Sequence, residues 1–271
     1  MARYALVALT LLGLGFGLPR AAAADAGADH WYEGPHGRNR LFHLSVSAAL
    51  GLGFVATESF LKPAVAPDSC RWCDPTAVDV RVRGALLWED VDRARLLSNL
   101  TGYVAAPLFG IGMSALAGLS KDDSGWARLI DDTIPILETV AISQAVSQIV
   151  KWSFGRERPF VHFNNSPPDQ DDNLSFWSGH SALAFGITTS AGMLARWRGS
   201  RTEPWIWGVG LTLSVATGYF RIAGDKHYFT DVVTGATVGV ISGLTIPRLM
   251  RRHGGIAIIP VGRGLAVSGA F

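Results

Sequence analysis

Six apolar stretches of helical length, separated by polar or basic loops, leave this chain few ways to fold. They run from Leu41 to Thr57, Leu96 to Ser120, Ile134 to Val150, Ser181 to Ala195, Trp205 to Phe220 and Val232 to Pro247. A half-buried strand would alternate apolar and polar residues with a period of two, and no such run appears before residue 255. Gly, Ala, Ser and Thr recur through the last three stretches, as in helices that approach one another closely. The expected fold class is all-α, a six-helix-type bundle.

A bilayer span needs roughly 20 mostly apolar residues. Leu96 to Ser120, wholly uncharged, meets that length comfortably, whereas Ile134 to Val150 carries Glu138, Gln144 and Gln148 and reads as facing other protein. Stretches of this size suit buried helices of a soluble bundle as well as short spans. The loop charges favour spans. Lys121 and Arg128, then Arg196, Arg198 and Arg201, then Arg248, Arg251 and Arg252 share one side if helices two to six alternate, which is the positive-inside distribution. The first stretch breaks that parity if residues 25–40 lie outside. With 48% apolar and 17% charged residues, the chain is not disordered. A net charge of +2 gives no electrostatic case for nucleic acid, and no protein partner is evident.

Met1 to Ala24 reads as a secretory signal: Arg3 in the n-region, an apolar stretch from Tyr4 to Leu18, and Ala22-Ala23-Ala24 before Asp25. Arg20 leaves an uncleaved anchor as the alternative. Either form sends the chain to the cell envelope, to the periplasm or to an inner membrane with the site facing the periplasm. Cys70 and Cys73 sit in a polar loop and are expected to be oxidised if that loop is exported. Residues 25–95 then form an N-terminal helix and CxxC loop, 96–250 the core, and 251–271 a tail resembling a short β-hairpin or a frayed end.

Three clusters close the apolar stretches on the side opposite the basic loops. They are Lys151-Trp-Ser-Phe-Gly-Arg-Glu-Arg158-Pro159, then Ser175-Phe-Trp-Ser178-Gly179-His180, then Arg221 through His227 to Asp231. Lys151, Arg158 and Arg221 are cations at the mouths of apolar helices, where unpaired charge is costly. Guanidinium forks bind two oxygens of a tetrahedral oxyanion at once. Ser178 and Gly179 open a helix, whose free N–H groups add to the same cradle. His227 and Asp231 stand one helical turn apart, so the carboxylate is expected to fix the imidazole tautomer and strengthen the other ring nitrogen as a nucleophile. His180 suits protonation of a leaving oxygen.

The order and spacing of these clusters resemble the type 2 phosphatidic acid phosphatase (PAP2) superfamily, with its acid phosphatases and vanadium haloperoxidases. Its pattern is K-x6-R-P, P-S-G-H and S-R-x5-H-x3-D, and the match covers roughly Leu96 to Met250. Trp177 replaces the proline of the second motif and Phe220 the serine of the third. The resemblance implies a two-step, metal-free reaction without a cofactor. His227 would form a phosphohistidine with Asp231 holding its ring, and His180 would act as acid and then base. Lys151, Arg158, Arg221, Ser178 and Gly179 would bind the equatorial oxygens.

The expected activity is hydrolysis of phosphomonoesters or diphosphates, with a phosphorylated lipid favoured by the apolar context. The alternatives are a periplasmic acid phosphatase on soluble esters and a non-catalytic phosphate-binding envelope protein. Arg156 and Lys226, inside the motifs, are expected to attract the anionic substrate. His162 with Asp169, Asp171 and Asp172 reads as a loop rimming the pocket, without regular metal-ligand spacing. His43 has no partner legible in sequence.

Overall fold

The structure, a computed structural model, describes residues 38–119, 125–164, 169–252, 257–261 and 264–268. The expected signal, residues 1–24, lies outside the described residues. Helix α1 covers Arg38–Ala56 and continues through a π-helical turn, Thr57–Leu61, into α2, Lys62–Val65. A loop closed by the Cys70–Cys73 disulfide leads to α3, Ala77–Leu86, and α4, Val91–Asn99. A second π-helical stretch, Leu100–Ala105, joins α4 to α5, Ala106–Leu119. Then follow α6 (Gly125–Phe154), α7 (Pro159–Asn164), α8 (Gly179–Trp197) and the short α9 (Glu203–Trp205). Ile206–Gly210 is again π-helical and opens α10, Leu211–Ala223, before α11, Phe229–Arg252. The six apolar stretches are helical in their described residues and the bundle is all-α. The tail is a hairpin: β1 (Ala257–Val261) pairs antiparallel with β2 (Gly264–Ser268), Ile259 opposite Ala266.

Helix starts follow local chemistry. Thr76 and Asp79 form a reciprocal capping box at α3, and the Asp90 carboxylate accepts from the Arg93 N–H at α4, so helix donors without an internal partner are satisfied. The closest packing is between α8 and α11. Gly235, Gly239 and Gly243 on α11 face Ser178, Ala182 and Gly186 so tightly that a Cβ at any of them would meet α8 main chain. Small residues at this spacing let two backbones touch. Ile136 from α6, Ile187, Ala191, Leu194 and Ala195 from α8, and Ile206 form a buried core.

Helix α6 does face protein, as its polar residues led one to expect. Glu138 Oε2 lies 2.6 Å from His43 Nδ1 of α1, Glu58 meets Gln148, and Arg40 pairs with Asp131 at 2.6 Å. His43 therefore has a partner, 95 residues away in sequence. Arg198, beyond the C-terminal end of α8, pairs with Asp132 near the N-terminal end of α6 at 2.7 Å. The basic residues after α8 thus lie at the end of the bundle away from Lys151.

Among the described residues, four helical segments are long and apolar enough to cross a membrane: Arg40–Val65, Val91–Leu116, Leu129–Phe154 and Phe229–Met250. The sequence stretches had suggested one comfortable span. The difference arises because the helices continue beyond the apolar runs, through π-helical turns and polar ends that contact protein. Leu41, Leu52 and Phe60, then Leu100 and Leu108, then Ile241 and Leu249 project outward and exposed, a face suited to lipid.

Candidate active site

Lys151 stands in the last turn of α6, Ser178 caps α8, Arg221 lies in the last turn of α10, and His227 lies two residues before the start of α11. Four helix ends thus converge, with Lys151 Nζ beside Gly179. The Ser178 hydroxyl accepts from the Ser181 N–H and hydroxyl. As first residue of α8, Gly179 keeps an N–H without an intrahelical partner. Its carbonyl accepts from Gln144 Nε2 at 3.0 Å.

Both site arginines are buried and held from outside the pocket. Arg158 donates to the carbonyls of Asp171 (2.7 Å) and Lys226 (3.0 Å). Arg221 donates to the Ser98 hydroxyl at 3.3 Å, and its buried Nε has no hydrogen-bond partner among the described residues. A buried donor left unmet costs about 1–3 kcal/mol, so Arg221 has a hydrogen bond still to offer. The Ser98 hydroxyl in turn donates to the Arg95 carbonyl at 2.7 Å.

His227 is buried, and its Nδ1 lies 2.8 Å from the Ser175 carbonyl. A carbonyl only accepts, so Nδ1 carries the hydrogen and Nε2 keeps its lone pair. The expected direct bond from Asp231 is not formed: Oδ2 is 3.8 Å from Nδ1. The reason is that Asp231 is already engaged. Its oxygens accept from Arg156 (2.5 Å), the Ser175 hydroxyl (2.6 Å) and the Tyr228 N–H (3.0 Å). Burial, then the cations Arg221, Arg158 and Lys151 and the ring of His180, push His227 well below the usual histidine range. The ring is neutral.

His180 Nε2 lies 2.9 Å from Asn99 Oδ1, and its ring is 4.2 Å from that of Tyr103, centroid to centroid. Neither contact was legible in sequence. The segment 77–103 also anchors the loop before His227. Arg83 clamps Asp225 with two bonds of 2.7 Å, and Arg95 donates to the Gly224 carbonyl at 2.9 Å.

Arg156 overturns its expectation as a substrate attractor. It has no exposed surface, pairs with Asp79 at 2.7 Å and Asp231 at 2.5 Å, and stacks between Trp72 and Tyr228. Lys226, by contrast, stays partly exposed at the rim, over the Phe160 ring. The acidic run is tied into the rim as well: Asp171 pairs with Lys62, and His162 with Glu157 at 2.8 Å. Burial raises the Asp171 carboxyl, but Arg158 and Lys62 outweigh it and hold it far below the usual carboxylate range.

Among known proteins, residues 132–254 match the model of the PAP2 superfamily. A 127-residue stretch is 39% identical to a lipid A 1-phosphatase of Porphyromonas gingivalis, covering 46% of this chain and 25% of that protein. The match therefore spans about a quarter of the curated relative. A transmembrane PAP2 type phosphatidylglycerolphosphate phosphatase from Bacillus subtilis overlays with a TM-score of 0.47 at 16% identity, covering 79% of this chain and 95% of that one. LpxE of Aquifex aeolicus gives 0.36 at 23% identity, over 60% and 99%. The three clusters at the converging helix ends all fall inside the segment that resembles the PAP2 superfamily, residues 132–254.

Proposed function

We propose that this chain is a phosphatase that removes phosphate from membrane lipids through a phosphohistidine. The observation that carries the proposal is a neutral His227, its Nε2 free, beside the buried cations Arg158 and Arg221 and Lys151. His227 Nε2 attacks phosphorus, and the bond to the leaving oxygen breaks. His180 protonates that oxygen, which takes the place of Asn99 as its hydrogen-bond acceptor. In the second step His180 draws a proton from water, whose oxygen attacks phosphorus and releases phosphate and free His227. Lys151, Arg158, Arg221, the Ser178 hydroxyl and the Gly179 N–H hold the equatorial oxygens throughout, and such preorganised donors usually dominate phosphoryl transfer. The residues present form a complete set for this route without a resident metal.

The outward apolar face and membrane-length helices favour a lipid substrate over a soluble ester. The site also belongs on the extracytoplasmic side. The Cys70–Cys73 disulfide, a bond that persists in oxidising compartments, lies in the loop hydrogen-bonded to Gly155 and Glu157 at the site end. Arg196 in the last turn of α8, with Arg198 and Arg201 just beyond it, lies at the other end of the bundle, where positive charge belongs in the cytoplasm.

The test is phosphate release by purified protein and its His227→Asn variant, with chelator present. The panel holds phosphatidate, a lipid A phosphate, polyprenyl diphosphate and a soluble aryl phosphate. Chelator-resistant release from a lipid that vanishes in the variant is expected. Preference for the aryl phosphate would instead make the chain a soluble-ester phosphatase. Phosphate binding without release would make it a binding protein.

A further inference from the structure

The reaction as written leaves a fully buried guanidinium without a part. Arg156 sits inside the first motif yet is sealed off from the phosphate cradle. One arm of its fork meets Asp231 at 2.5 Å and Thr230 Oγ1 at 2.8 Å; the other meets Asp79 at 2.7 Å. Trp72 covers its face at 3.9 Å, and the Trp72 main chain flanks it through a bridge to Arg156 itself. The Arg156 carbonyl accepts from the Ser175 N–H at 3.0 Å. Ser175 in turn takes the Nδ1–H of His227 on its carbonyl and gives its hydroxyl to Asp231.

We propose that Arg156 is a positioning residue for the nucleophile: by neutralising and anchoring Asp231, and by fixing Ser175, it holds the His227 ring neutral with Nε2 aimed into the cradle. The inference rests on the phosphatase reading above. Its logic is electrostatic. Asp231 is the carboxylate nearest the ring, while Arg221, Arg158, Lys151 and His180 face it as the other titratable or charged groups. With Arg156 gone, the Asp231 charge is left with only the Ser175 hydroxyl and the Tyr228 N–H and favours imidazolium, which cannot attack phosphorus.

Two variants separate geometry from charge. Arg156→Lys keeps the charge but cannot bridge two carboxylates. Its kcat is expected to fall on the order of 100-fold, as for a displaced catalytic group, with KM within about two-fold because no phosphate contact is lost. Arg156→Gln removes the charge, and the acid limb of its pH–rate profile is expected to move up by about 1–3 units, the usual effect of one close opposite charge. Nitrogen-15 histidine spectra of the full chain in detergent micelles read the His227 midpoint directly, assigned by the signal that His227→Asn loses. If the wild type releases no phosphate, the phosphatase reading falls while these spectra still decide the positioning role. An upward midpoint in Arg156→Gln supports the role. Folded variants with unchanged kcat, or in the absence of turnover an unchanged midpoint, would overturn it. So would loss of rate only in proportion to lost folded protein.

Discussion

Asn99 Oδ1 lies 2.9 Å from His180 Nε2, at the C-terminal end of a helix that precedes the family-matched segment. The amide oxygen is an acceptor, so it keeps a hydrogen on Nε2. In the reaction proposed above, the proton donor of one segment is thereby prepared by another.

Asn99→Ala is accordingly expected to lower kcat about 10-fold on an alkyl phosphate, a part of the 10²–10⁴-fold typical of acid–base catalysis. An aryl phosphate, whose leaving oxygen needs less protonation, is expected to lose less. Steady-state rates on the two substrates check this. Equal losses on both would mean that Asn99 does not act through His180.

Lys226 gives a pH dependence of defined sign. Burial first, then Arg158 and Arg95, push its ammonium down to about 8. The cation is present below that pH and lost above it. The kcat/KM for an anionic substrate is expected to fall as pH rises through about 8, by roughly 10-fold, the low end of electrostatic steering. Lys226→Met removes that limb and keeps the lower rate at all pH values. A wild-type profile unchanged by the substitution would exclude Lys226 from substrate capture.

The disulfide makes a third prediction. Its loop is very short, so chain-entropy arguments assign it only about 2 kcal/mol. Reduction is expected to lower the melting temperature modestly without dissolving the fold, as followed by thermal unfolding with and without dithiothreitol. In reduced spheroplasts, a membrane-impermeant maleimide is expected to label Cys70 and Cys73. Labelling only after the membrane is opened would place the site on the cytoplasmic side.

Much of the molecule was legible in sequence because its signals are local or repeated. The apolar stretches marked every long helix, and the motif spacing brought Lys151, Arg158, Ser178, His180, Arg221 and His227 to neighbouring helix ends. Contacts made across the chain escaped. Arg156 looked like a surface cation because its two carboxylates, Asp79 and Asp231, lie 77 and 75 residues away. Ser98 and Asn99 belong to no motif; tertiary packing alone brings them to Arg221 and His180. Asp79 did leave one local trace, the Thr76-x-x-Asp79 pattern of a capping box, but its second task on Arg156 could not be read from it. Asp231 was placed correctly near His227, yet its hydrogen bonds were misjudged because spacing reports proximity, not competition among donors.

The glycine-lined contact of α8 with α11 divides the molecule into parts of unequal freedom. Ser178 and His227 are bound to helices whose backbones touch, so neither can be adjusted without dislodging the other. Asn99 and Tyr103 approach from α4 and the turn after it, where Gly102 rests on the side chains of Thr217 and His180 and not on main chain. A designer seeking a new leaving group should leave the fused pair alone and rewrite the Asn99 and Tyr103 side chains, whose contacts can give.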